Sequence, residues 1–152
     1  MLIWIQSTRI AMAIAGSTNL TGFLSGLHLL GMTLVVGAAL VSGLRMVGVV
    51  LTDRPVSEVT STPVRAMVIG MMISVTSGLL LFSPRGPVAV ENSFFQAKMA
   101  LLGAAILFHF AVYRGVSRQD DARPAAARFA GALGLILWAA VAVAGCAFIL
   151  FE

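Results

Sequence analysis

LTGFLSGLHLLGMTLVVGAALVSGLRMVGVVL, residues 20–51, carries a single charge, Arg45. A helix crossing a bilayer needs about 20 apolar residues at about 1.5 Å each. This stretch exceeds that, so it reads as a membrane span that tilts or runs past the bilayer beyond Arg45. Three more apolar runs follow: Val64 to Phe82 after Pro63, Phe94 to Tyr113 with Lys98 inside it, and Phe129 to Phe151 with no charge. Across the 152 residues, 59% are hydrophobic and 11% charged, against roughly 25% charged in a soluble domain. Mean hydropathy is +1.00. Such a chain cannot cover a water-facing surface with polar groups, so its outer surface is expected to be lipid. The sequence predicts an all-α, integral membrane four-helix bundle forming one domain. Its spans fall at about 20–51, 64–82, 94–113 and 128–151.

The connections carry stop signals. Thr52-Asp53-Arg54-Pro55 ends the first span, and Ser83-Pro84-Arg85-Gly86-Pro87 ends the second. Residues 114–128 form a polar link with Arg118, Asp120, Asp121, Arg123 and Pro124. Arg45, Arg54 and Arg65 flank the first connection, and Arg114, Arg118, Arg123 and Arg128 the third. Arg9 and Arg85 stand on the other side, with Lys98 just inside the third span. Positive residues stay cytoplasmic, which places both termini outside a bacterial inner membrane. Residues 1–19 are too short and interrupted to span. Trp4 and Arg9 among Leu2, Ile5, Ile10 and Ile14 suggest a short helix lying in the outer interface. No basic region precedes Leu2, so the N-terminus is not a clean secretory signal, although residues 11–17 mimic a small-residue cleavage site. The net charge of +4 sits in loop anchors and forms no basic stripe, so no nucleic-acid partner is expected. The expected partners are the lipid bilayer and, on the outer face, a protein such as an oxidoreductase subunit, for which Phe94 and Phe95 form an anchor.

Ionisable residues at bilayer depth are functional candidates by default. Four qualify: His28, Arg45, Lys98 and His109. His28 falls roughly 12 Å and Lys98 roughly 6 Å below the outer boundary, counted along their helices. Arg45 and His109 fall near the inner ends. Lys98 and His109 return to within about 20° of one another at about 100° per residue. They therefore define one inward stripe, Lys98–Leu102–Ala105–His109. Neutral histidine is a haem ligand, and haem fits between bundle helices. His28 is the candidate axial ligand of a haem b, with His109 a second candidate for the iron. Lys98 is placed to pair with a propionate, a quinone oxygen or a substrate carboxylate, and Arg45 and His109 to line the inner side. The two histidines differ by roughly 10 Å in depth, which disfavours one haem held by both.

Other signals favour plainer explanations. Met32, Met67, Met71, Met72 and Met99 would suit Cu(I) beside His28, but methionine is also an ordinary core filler. Gly22-x-x-x-Gly26 reads as a close helix-packing motif, or as room for a flat ligand. Cys146, alone, reads as a small buried apolar residue. The sequence holds no P-loop, CxxC, HExxH or nucleophile elbow. The residues point to a haem b- or quinone-linked membrane redox protein or the membrane subunit of an oxidoreductase. The alternatives are a non-enzymatic scaffold or partner-binding subunit, with histidines bonding across helices, and a copper-handling membrane protein.

The stretches Leu27-His28-Leu29-Leu30-Gly31, Gly43-Leu44-Arg45-Met46-Val47-Gly48, Thr76-Ser77-Gly78-Leu79-Leu80-Leu81-Phe82 and Phe94-Phe95-Gln96-Ala97-Lys98 resemble an uncharacterised family of small bacterial four-helix inner-membrane proteins. That resemblance covers nearly the whole chain and implies the same fold and topology. His28 with Leu44-Arg45, and Lys98 with His109, are also similar in order to the haem-containing bacterial membrane protoporphyrinogen oxidases and, more distantly, to the membrane domain of copper-resistance proteins. This second resemblance implies a haem ligand at His28 and a lysine needed for activity at Lys98. The chain departs from it after Arg45, where Met46-Val47-Gly48 replaces an aromatic-rich stretch.

Overall fold

A computed structural model describes residues 3–113, 115 and 124–150. Among them the chain is helical: α1 (Ile3–Gln6), α2 (Arg9–Ala15), α3 (Thr18–Val47), α4 (Val56–Phe82), α5 (Gly86–Glu91), α6 (Ser93–Phe108) and α7 (Pro124–Leu150). A π-helical turn, His109–Tyr113, continues α6. Four stretches are long and apolar enough to cross a membrane: Thr18–Val47, Val56–Phe82, Ser93–Ala111 and Ala125–Ala147. The chain is a multi-pass membrane protein with a lipid-facing exterior. Large apolar side chains such as Leu30, Ile69, Met72, Leu107, Ile136 and Val143 stand on its outside, where hydrocarbon satisfies them.

Short polar side chains set the helix starts. Thr8 accepts from the Ala11 amide, Ser17 from Leu20, and Asn92 from Phe94 and Phe95, each satisfying an orphan donor of the first turn. Gly48 ends α3 at φ +90°, a left-handed conformation that glycine adopts without Cβ strain. The long first run is thus cut four residues before its apolar pattern ends. α4 starts two turns earlier than the apolar run suggested, on Pro55, and carries Pro63 inside it. Its first turns hold Glu58, Thr60, Ser61 and Thr62, so they escape a hydropathy reading.

Helix α3 is central. It packs on α4 along one side and on α7 along the other, and α7 in turn carries α6. Glycines make both crossings of α3. A Cβ on Gly31 would sit 2.8 Å from the Gly70 carbonyl oxygen, and one on Gly70 would sit 2.6 Å from that of Gly31. Gly43 and Gly131 meet likewise, a Cβ on Gly131 lying 2.9 Å from the Gly43 oxygen. Between these crossings lies the main core, built from Val35, Ala38 and Ala39 of α3, Met67 of α4, Ala105 of α6, and Trp138 and Val141 of α7.

The N-terminal segment and the second connection depart from expectation. Residues 1–19 are not one interfacial helix: among the described residues they hold α1 and α2. α2 docks on α3 and α4, burying Ala11 and Ile14. The Thr21 hydroxyl donates to the Ile14 carbonyl at 2.9 Å, and the Gln6 amide donates to the Pro84 carbonyl at 2.9 Å. The second connection, residues 83–93 between the expected spans, contains the short helix α5. We call this the capped end and the Thr52–Pro55 side the opposite end. Gly22 and Gly26 correct the motif reading: a Cβ on either would meet nothing within 4 Å. Cys146 is exposed, not buried. The arginines at 114, 118 and 123 lie outside the described residues.

Candidate functional site

His28 stands about 15 Å into α3, counting rise from Thr18, and reaches across to α4. Its Nδ1 lies 2.9 Å from the Ser74 carbonyl oxygen and 3.2 Å from the Ser77 hydroxyl. A carbonyl only accepts, so Nδ1 carries the proton and donates. Ser77 spends its own proton on the Ile73 carbonyl at 2.6 Å, so its oxygen also faces Nδ1 as an acceptor. In the neutral ring, Nε2 is then left with the lone pair. Among the described residues nothing hydrogen-bonds to that nitrogen. Ser74 closes a reciprocal clasp, its hydroxyl donating to the His28 carbonyl at 3.3 Å.

The wall behind the ring is Gly78. A Cβ there would lie 3.1 Å from His28 Cε1 and 3.4 Å from Nδ1. Gly78→Ala is therefore expected to push the imidazole by a few tenths of an ångström and cost about 1 kcal/mol of helix packing. Detergent unfolding of the variant beside wild type measures this.

Lys98 enters from α6, about 7 Å below its start. It is half-buried and lies across α7 at Gly145, where a Cβ would sit 3.6 Å from Cε and 3.7 Å from Nζ. It is within electrostatic reach of His28. Two residues far apart in sequence, on α3 and α6, thus share the capped half of the bundle, as their depths implied. Among the described residues Lys98 has no ion-pair or hydrogen-bond partner.

The other two candidates lie elsewhere. His109 is buried and lines a cavity of about 10 Å³ with Ser42, Pro63, Met67, Gly134 and Trp138, room for about one water. The predicted stripe does face inward: Leu102 packs on the core and Ala105 belongs to it. Ser42 is 14 residues from His28, so the two histidines are separated by about 20 Å along α3. The gap is about twice that expected from sequence. Arg45, 7% exposed, belongs to the α3–α4 connection. Its Nε donates to the Arg54 carbonyl at 3.0 Å, and its Nη2 donates to the same oxygen.

The methionines do not gather at His28. Met67 is in the core with Met32 and Met71 packed on it, while Met72 and Met99 are exposed. Among the described residues no group of three His, Cys, Asp or Glu side chains could hold a metal ion. Sequence reasoning missed Ser74, Ser77 and Gly78 as partners of His28. With Gly70 they form a stripe of small residues at helical spacing on α4, and that stripe was the available signal. A family model described as a family of unknown function (DUF6644) matches residues 4–151. No curated protein and no solved structure matches the chain.

Proposed function

The chain belongs to the DUF6644 family of unknown function, and within it we propose a redox-cofactor protein of the bacterial inner membrane, with both termini outside. The cofactor proposed is a haem b at His28, with a quinone head group as the alternative, and the role is that of a membrane subunit passing electrons to or from a partner at the capped end. One observation carries this reading. The Nδ1–H of His28 is held by a backbone carbonyl, which fixes the ring and leaves Nε2 for a Lewis acid. Metal-ligating histidines are oriented by the same second-shell bond, which also raises the basicity of the ligating nitrogen.

The residues present suit a haem with one protein ligand from this site. His28 would hold the iron and Lys98 would take an acidic group. A haem b supplies one-electron chemistry when bound. What the chain itself does is orient the imidazole through Ser74 and Ser77, keep Gly78 clear behind it, and separate the site from the opposite end by the apolar core. His109 is too far along the bundle to share the iron, so its place beside the small cavity, like that of Arg45 in its connection, is assigned no part in holding this cofactor.

The clasp between His28 and Ser74 also favours a second reading, a non-enzymatic scaffold in which His28 joins α3 to α4. Absorption spectra of detergent-purified protein, oxidised and dithionite-reduced, separate the two. A Soret band with reduced α and β bands, lost in His28→Ala, is expected. His28→Asn should also lose the band while keeping a side-chain donor for Ser74. A featureless spectrum from folded wild type, with no quinone in its organic extract, would leave the scaffold reading.

A further inference from the structure

Two buried polar side chains belong neither to the His28 site nor to a connection. They are Ser42 of α3 and His109, where α6 passes into its π-turn, 3% and 5% exposed. Both line the cavity of about 10 Å³. All four spans meet there, since Pro63 and Met67 come from α4 and Gly134 and Trp138 from α7. Two of the spans are irregular at this level. Pro63 removes a backbone donor from α4, and α6 turns π-helical at His109.

Ser42 decides what the cavity holds. A hydroxyl on a helix commonly donates to a carbonyl one turn back. Thr33 does so to Leu29 at 2.9 Å, Thr60 to Val56 at 2.9 Å and Ser77 to Ile73 at 2.6 Å. Among the described residues Ser42 makes no such bond. Its side chain is instead buried on the wall of the cavity. A buried hydroxyl left without a partner is costly, so the cavity must supply one.

Size and charge select the occupant. The volume admits one water and nothing larger. A metal ion would lack ligands, because His109 is the one imidazole on the wall and no carboxylate or thiol joins it. An anion would lack a cation, because no lysine or arginine lines the space. Water both donates and accepts, so it suits a hydroxyl together with either nitrogen of an imidazole.

We propose that this cavity binds one water molecule, which bridges the Ser42 hydroxyl and the His109 ring and so links α3 to α6. Those two helices are otherwise joined through α7. The site is independent of the cofactor reading, about 20 Å along α3 from His28.

The test is a crystal structure of the intact protein grown in lipidic mesophase, at a resolution that shows ordered water, for wild type and Ser42→Ala. Expected in wild type is one density peak within hydrogen-bond distance of Ser42 Oγ and a His109 ring nitrogen, lost in Ser42→Ala. Oxygen-17 relaxation dispersion in micelles reads the same site in solution, and Ser42→Ala should lose one long-lived water. An empty cavity between well-defined Ser42 and His109 side chains in wild type overturns the proposal. So does a Ser42 hydroxyl bonded to its own helix. A peak that touches Ser42 alone overturns the bridge, and a water retained unchanged in Ser42→Ala overturns the role of Ser42. Melting curves show whether the variant is folded. Ser42→Cys, which keeps a side chain of similar size with a weak donor, replaces it if it is not, and the wild-type density decides the matter without either.

Discussion

Gly31→Ala and Gly70→Ala are each expected to destabilise the protein by about 1–3 kcal/mol, the cost of overpacking a well-packed contact. The atoms in the way are mainly backbone. A Cβ at 31 would meet the Gly70 oxygen and the Ser74 amide nitrogen at 2.8 Å, and one at 70 would meet the Gly31 oxygen at 2.6 Å. Neither helix can yield locally, so α3 and α4 must move apart. In lipid there is no hydrophobic drive to hold them, because association rests on close van der Waals packing. Separation would also loosen the bond from His28 to Ser74, three residues along α4 from Ser77. Unfolding in mixed micelles, followed by fluorescence of the buried Trp138, measures the loss. Gly22→Ala and Gly26→Ala serve as controls. Both meet open space, and changes within about 0.5 kcal/mol are expected there. A large loss at Gly22 or Gly26 would show that these glycines face something other than lipid. Because 31 and 70 open the same crossing, the double variant should fall short of the sum.

Arg45→Met is expected to cost about 1.5–3 kcal/mol, the range for hydrogen bonds made by charged groups. Methionine keeps the apolar stem but removes both donors from the Arg54 carbonyl. That carbonyl belongs to a connection in which Leu51 adopts φ +50°, a left-handed conformation costly for a residue with Cβ. The Arg54 amide also bonds back to the Leu51 carbonyl at 3.2 Å, so the guanidinium ties down a strained turn. Arg45→Lys should recover only part of the loss, since an ammonium cannot present two forked donors to one oxygen. Leu51→Gly in the Arg45→Met background should regain some stability by relieving the positive φ. The His28 site lies about 25 Å away along α3, so the haem absorbance proposed for that site should be untouched in folded Arg45→Met. If that variant kept its stability but lost the Soret band, Arg45 would belong to the site and not to the connection.

The four spans were legible because hydropathy over about 20 residues is a property of the chain itself. The inward face of Lys98 and His109 was legible for a related reason, since helical period converts spacing into direction. Helix ends were less so. Gly48 stopped α3 within an apolar run, and the polar first turns of α4 hid beyond Pro63. The glycine pattern misled in one place: the motif at 22 and 26 faces outward, while the contacts fell to Gly31 with Gly70 and Gly43 with Gly131. Nothing in the spacing of glycines on one helix says which of them meets a partner helix.

By itself, then, the sequence determined a four-span, lipid-facing, all-α chain with two polar levels, because these follow from composition and period. Only the tertiary structure decided what each polar residue touches. It gave His28 to Ser74 and Ser77, set Lys98 against Gly145, sent Arg45 to the Arg54 carbonyl, and seated His109 beside Ser42 and Trp138. Those pairings depend on where two helices cross, and a crossing is fixed by small residues on both partners at once.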